Sequence, residues 1–146
     1  MFQIILILLI GFLGGTDLVK EVALEFHELD GQKSELAFTE QYKNNTDPAI
    51  KAYVIAIQMK QIEYLYNPIK QMNLFSDYKK KLSSLAEMNK GNIHVRYIRL
   101  LIQEQTPEFL GYKSDIPADK AFLSVMLNSK DETDYLDKYI IESTSL

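Results

Sequence analysis

The segment "NIHVRYIRLLIQEQ", residues 92–105, decides the fold class of this 146-residue chain. Placed on a helix at 100° per residue, its apolar side chains fill an arc of about 220°. Arg96, Arg99 and Gln103 form the narrow polar stripe that is left. A helix on a protein surface usually has an apolar stripe only about 100° wide. The segment is therefore predicted to be a helix that is covered on most sides, with the two arginines on its one open strip.

Helix signals recur along the rest of the chain, and few segments show the alternation that is typical of strands. Most of these signals are capping residues, prolines at first helical positions and glycine stops. They predict helices from Thr16 or Asp17 to Leu29, at 32–43, from Pro48, at 75–88, at 117–127 and, from a capping box at Ser129 and Glu132, to Glu142. With the opening segment, this indicates an all-α domain of six to seven helices stacked as antiparallel hairpins.

The segment "PAIKAYVIAIQMKQIEYLY", residues 48–66, has the most regular helical pattern. Its alanines Ala49, Ala52 and Ala56 fall within about 60° of each other on a helical wheel. Such a stripe of small residues allows a neighbouring helix to approach closely. The step Asn67-Pro68 is expected to end or kink this helix.

The N-terminal segment "MFQIILILLIGFLGG" has no charged residue. It is shorter than the run of about 20 apolar residues that a membrane-spanning helix needs, and small residues follow it. This pattern is typical of a signal peptide over residues 1–16, or of a short membrane segment if it is not cleaved. The alternative is a buried N-terminal helix of the domain. Residues 17–146 are predicted to form a single helical domain.

Composition and motifs exclude several classes of function. The net charge of −4 offers no basic surplus for a nucleic-acid partner, and the absence of cysteine removes disulfides and thiolate sites. No nucleotide-binding, zinc-protease or nucleophile-elbow motif occurs. His27 and His94 are far apart in sequence, and His94 lies in the apolar arc, so we interpret it as a packing residue. No catalytic residue, metal site or cofactor is predicted.

Arg96 and Arg99 have two interpretations. As structural residues, they would pair with acids of an adjacent helix, such as Glu63 or Glu104. As binding residues, they would lie in a groove and bind carboxylates or phosphates through their guanidinium groups, with Gln103 beside them. Two tyrosines that fall near one another on the preceding helix pattern, Tyr53 and Tyr64, would add flat contact area to that groove.

Two resemblances add to this reading. The stretch "KKKLSSLAEMNKGNIHVRYIRLLIQ" resembles the helix–loop–helix join of tetratricopeptide (TPR) repeats, although the tryptophan and the turn proline of that signature are missing. The segments "AYVIAIQMK", "IHVRYIRLLIQ" and "TPEFLGYKSDI", with the Asn67-Pro68 step, are similar to small exported proteins of Bacteroidetes bacteria. The second resemblance implies a TPR-like fold outside the cytoplasm and no particular activity.

These observations favour a non-enzymatic helical module of the periplasm or cell envelope that binds a peptide or protein through a groove. A structural subunit of an envelope complex is the second hypothesis. A small enzyme is the third, although the nucleophile with its base, the metal or the carboxylate pair that hydrolysis requires is not recognisable. Membrane contact is expected only through residues 1–16, if they are retained.

Overall fold

The computed structural model describes residues 14–146. Within this range the fold is all-α, with seven α-helices and three short 3₁₀ turns. The helices are α1 (Gly14–Glu28), α2 (Gln32–Tyr42), α3 (Pro48–Gln61), α4 (Pro68–Met88), α5 (Ile93–Gln105), α6 (Ile116–Leu127) and α7 (Asp137–Ser143). The prediction of an all-α fold with six to seven helices is confirmed. Whether the helices stack in a TPR-like manner stays a prediction.

The start of α1 differs from the expected one. Among the described residues α1 begins at Gly14, so Thr16 and Asp17 lie inside the helix and not at its cap. The predicted signal peptide or membrane segment falls mainly on residues 1–13, which lie outside the described residues. None of the helices in 14–146 is long and apolar enough to cross a membrane.

Side-chain caps fix the starts of three central helices. Asp47 accepts a hydrogen bond from the backbone N–H of Ala49 and precedes Pro48, the first residue of α3. Asn67 caps α4 and Asn92 caps α5, each by accepting two backbone N–H bonds with its side-chain oxygen. These caps satisfy donors that a helix N-terminus leaves without partners.

The helix α3 forms the centre of the molecule. It contacts α1, α2, α4 and α5, and nine of its 14 residues are buried. Ala52 is 0% exposed, and the other two alanines of the predicted small-residue stripe are also buried. Glu35 of α2, itself fully buried, pairs with Lys60 and accepts a hydrogen bond from Gln61. A buried charge needs such partners, and this pair holds α2 against the end of α3.

Four local predictions need correction. The segment 48–66 was predicted to be one helix, but the α-helix ends at Gln61 and a 3₁₀ turn, Ile62–Tyr64, follows. The Asn67-Pro68 step is the start of a helix, because proline fits its first position, so α4 begins seven residues before the predicted Phe75. The capping box at Ser129 and Glu132 does not form. The Ser129 hydroxyl instead donates to the carbonyl of Val125, and α7 begins only at Asp137.

Candidate functional site

The polar stripe of α5 is covered by α6. Arg96 and Arg99 both pair with Asp119, which lies in the first turn of α6 and is 0% exposed. Arg99 donates to both carboxylate oxygens of Asp119, from Nε at 2.7 Å and from Nη2 at 2.8 Å. Arg96 donates its other N–H groups to the carbonyl oxygens of Lys90 and Ala118. The two guanidinium groups are thus bound by one buried acid and by the backbone carbonyl groups around it.

Further polar contacts extend this cluster along α5. The Gln103 amide donates to Asp115 at 2.8 Å and accepts from the Asp115 backbone N–H at 3.2 Å. Arg99 lies 3.6 Å from the same carboxylate. The hydrogen bonds that Arg99 donates to Asp119 raise the pKa of Arg99 above its ordinary value, and burial opposes this shift. The arginine therefore stays charged inside the interface between α5 and α6.

The prediction that the arginines lie in an open groove is wrong. Arg99 and Gln103 are buried, at 5% and 0% exposed, because α6 lies over the strip that the helical wheel left open. The structural interpretation of the arginines holds, but with different acids. Glu63 lies elsewhere, at the edge of a cavity, and Glu104 accepts hydrogen bonds from Ser145.

The two predicted groove tyrosines are separated. Tyr53 is 0% exposed, and its hydroxyl is hydrogen-bonded to His94 Nδ1 at 2.8 Å. Tyr64 lies in the 3₁₀ turn after α3 and is 41% exposed. The five residues of the predicted site are therefore not brought together in one surface.

His94 is a buried packing residue, as its position on the wheel predicts. It is 6% exposed and lies between Tyr53 and Tyr135, whose hydroxyl is 3.3 Å from Nε2. Burial lowers the pKa of His94 to about 4, although the negative charge of Asp47 acts in the opposite direction. The imidazole is therefore neutral at physiological pH.

A second histidine–tyrosine contact joins α1 to α5 and α7. His27 Nδ1 donates to the carbonyl of Ala23 at 2.6 Å, so Nε2 of the neutral ring accepts from the Tyr97 hydroxyl at 2.8 Å. The ring also stacks on Tyr139 with 3.9 Å between centroids. Burial lowers the pKa of His27. Both histidines thus act as polar links inside the helical core.

A concave surface does exist, on the opposite side of α5 from the arginines. This apolar groove of about 410 Å³ lies between the ends of α3 and α5, the first half of α4 and the 3₁₀ turn Glu108–Leu110. Ala56, Ile57 and Leu101 are its buried floor. Phe109 and Met72 stand at its edge and are 84% and 53% exposed. Large exposed apolar side chains around a cavity are typical of binding sites.

Polar groups at the rim of the apolar groove leave it slightly acidic. The Lys60 ammonium is neutralised by Glu35, and the Gln71 amide is engaged by the carbonyls of Ile62 and Leu65. Glu63 is exposed at the rim, and Glu108 is exposed beside Phe109. The free charges of this rim are therefore carboxylates.

Phe109 and Met72 were missed by the sequence reasoning. Phe109 lies in a segment that reads as a loop, and Met72 lies in the part of α4 that was not predicted to be helical. No periodic pattern marks either residue as a site, because Phe109 lies in a short 3₁₀ turn that ends at Gly111, which takes the left-handed conformation (φ 63°).

No protein family, curated protein sequence or solved structure matches the chain. Within residues 14–146, no three histidine, aspartate or glutamate side chains are grouped so that they could hold a metal ion. The apolar groove, with its buried floor and its exposed rim, is the candidate site of the described residues.

Proposed function

We propose that this chain is a non-enzymatic helical interaction module of the periplasm or cell envelope, and that the apolar groove binds a segment of a partner protein. The observation that carries the proposal is the exposure of Phe109 and Met72 beside a buried apolar floor. Exposed aromatic and methionine side chains at a cavity supply contact area, and apolar anchors of the partner would fill the cavity. Recognition of an amphipathic segment in a groove between helices follows the same principle.

The charge of the rim restricts the class of partner segment further. Glu63 and Glu108 are exposed, and the one lysine of the lining is neutralised. A partner segment with apolar anchors and a flanking basic residue therefore complements the groove best. This supports a protein or peptide ligand, since its basic side chain would be attracted by the exposed carboxylates, whereas a fully apolar small molecule would gain nothing from them.

Site-specific photo-crosslinking tests the proposal. A photoreactive amino acid replaces Phe109 in the full-length chain, expressed in the source organism, and Val125 of α6, which is 66% exposed, serves as the control position. We expect a discrete crosslink to one other protein from position 109 and none of comparable yield from position 125. A synthetic peptide of the crosslinked segment should then bind the purified chain, and Phe109→Glu should weaken this binding by more than about tenfold.

Other occupants of the apolar groove would contradict the proposal in distinct ways. A crosslink between two copies of this chain would favour the structural-subunit hypothesis. A crosslink to residues 1–13 of the same molecule would mean that the N-terminal segment covers the groove. Equal binding of the peptide to Phe109→Glu and Val125→Glu would show that the groove is not the site.

A further inference from the structure

A second concave surface lies on another side of α3 and α4. This lysine cleft has a volume of about 550 Å³ and is formed by the end of α2, the middle of α3 and the C-terminal part of α4. Four of its lining residues are lysines, namely Lys43, Lys51, Lys80 and Lys81, and all four are exposed. None of its described lining residues is an aspartate or a glutamate.

This concentration of positive charge opposes the charge of the whole chain. The sequence has 16 basic and 20 acidic residues, yet four of the basic ones converge on one cleft. Lys43 is paired with Glu40, whereas Lys51 and Lys80 have no salt bridge to any side chain of 18–146. Charges of one sign around a concave surface focus the field into it. The cleft therefore attracts an anion.

The floor of the lysine cleft is apolar. Val54, Ile55 and Leu85 are buried at its base, and Met88, 76% exposed, stands at its edge. The hydroxyl of Tyr42, also in the lining, donates to Glu25 and is not free for a ligand. A simple inorganic anion would pair with the lysines and leave this floor uncovered. A ligand that fits both parts needs an anionic head and an apolar body.

We infer that the lysine cleft binds a small amphiphilic anion, in which an alkyl chain covers the floor and a carboxylate or phosphate head pairs with Lys51 and Lys80. Its volume lies in the range of about 300–1,000 Å³ that is usual for sites of small ligands. An acidic peptide is the less suitable occupant, because its backbone would place polar groups on an apolar floor. The site is separate from the apolar groove and does not depend on the proposed function.

Calorimetric titration of the full-length chain with decanoate and decyl phosphate, each below its micellar concentration, tests the inference. We expect saturable binding of one molecule per chain for at least one of them, and the stronger one identifies the head group. Acetate and inorganic phosphate, which lack the alkyl chain, should bind at least about tenfold more weakly, as should 1-decanol, which lacks the charge.

Matched variants locate the binding. The double variant Lys51→Gln/Lys80→Gln should weaken binding by at least about tenfold, whereas Lys33→Gln/Lys130→Gln, two exposed lysines outside the cleft, should not. Met88→Glu should also weaken it, with Val125→Glu as its control. Because all these positions are exposed, folding should be preserved, and equal thermal melting of the variants checks this.

Three results would overturn the inference. The first is equal binding of decanol and decanoate, which would mean non-specific apolar adsorption. The second is equal loss in the cleft and control lysine variants. The third is binding of hexaglutamate with no binding of either amphiphile, which would assign the cleft to an acidic polypeptide.

Discussion

His94 shows how a single buried side chain makes stability depend on pH. Its pKa is lowered from 6.5 to about 4 by burial between Tyr53 and Tyr135, so the folded state holds the ring neutral. The unfolded chain binds a proton near pH 6.5, and the folded chain binds it only near pH 4. The stabilising contribution is therefore complete above about pH 6.5 and is lost as the pH falls towards 4.

Replacement of His94 by glutamine should remove this dependence. Between about pH 7 and pH 4, the free energy of unfolding of the wild type should fall by about 3 kcal/mol more than that of His94→Gln. Urea denaturation at a series of pH values measures the difference. A residual dependence is expected in the variant, because the pKa of His27 is lowered as well. Parallel curves for wild type and His94→Gln would show that His94 titrates normally in the fold.

Asp119 is the residue on which the contact between α5 and α6 depends. It accepts hydrogen bonds from Arg96 and Arg99 while fully buried. Its replacement by asparagine removes the carboxylate that pairs with Arg96 and leaves Arg99 with only Asp115, at 3.6 Å. Loss of one partner from a buried pair typically costs about 3–5 kcal/mol. We expect Asp119→Asn to lower the free energy of unfolding by that amount in urea denaturation.

Glu132→Gln is the matched control, because Glu132 is exposed and pairs with no residue of 14–146. Its change should stay within about 0.5 kcal/mol. A change equally small in Asp119→Asn would mean that the arginines face solvent. This result would support the groove that was predicted from the helical wheel.

The sequence predicted the covered state of α5 but not its partner. The apolar arc of about 220° correctly indicated burial on most sides. The pairing acid, however, lies in α6, 20 residues after Arg99, and a helical wheel contains no information about which helix crosses the polar strip. Tyr53 and Tyr64 were separated for a similar reason, because the chain leaves the α-helix at Gln61 and the wheel no longer applies beyond it.

At the scale of the helix, boundaries were predictable where a local cap fixes them. The helix α5 fills the predicted segment 92–105 almost completely, with Asn92 as its cap, and α3 begins at Pro48 as predicted, after the cap Asp47. The start of α4 was missed because its first turns carry exposed apolar residues, Ile69 and Met72, and so have no clear amphipathic pattern. Those turns form one wall of the apolar groove, so the weak pattern coincides with the candidate site.

The buried alanines of α3 set the distance to its neighbours. Ala52 is 0% exposed, so a larger side chain has no free space to enter. We expect Ala52→Leu to lower the free energy of unfolding by about 1–3 kcal/mol, the usual effect of overpacking a core. The control Lys51→Leu changes the adjacent, exposed position of the same helix. Thermal or urea denaturation measures the free energy of unfolding of both variants. Equal stability would show that α3 is not closely enclosed at Ala52.

At the scale of the whole molecule, the two concave surfaces lie on either side of the C-terminal half of α3. Lys60 lines the apolar groove and Gln58 lines the lysine cleft. The fold class could be predicted from local periodicity. Both cavities, however, depend on how α4 packs against α3, which is a long-range property. The residues that form these surfaces could therefore not be predicted as sites.

The last prediction concerns the proposed export of the chain. The buried residues of α1, Val22 and Ala23, follow residue 16, and so does Phe26, which packs on the core. Of the described residues, removal of residues 1–16 would take away only 14–16 at the start of α1, and the contacts of Val22, Ala23 and Phe26 with the core would stay. We therefore expect intact-mass measurement of the native protein to find an envelope species that lacks residues 1–16. The free energy of unfolding of a purified chain that begins at Asp17 should lie within about 0.5 kcal/mol of that of the full-length chain, since the shortened chain keeps the described core. A cytoplasmic species that still carries Met1 would contradict export, and marked destabilisation of the shortened chain would favour the alternative that the N-terminal segment belongs to the fold.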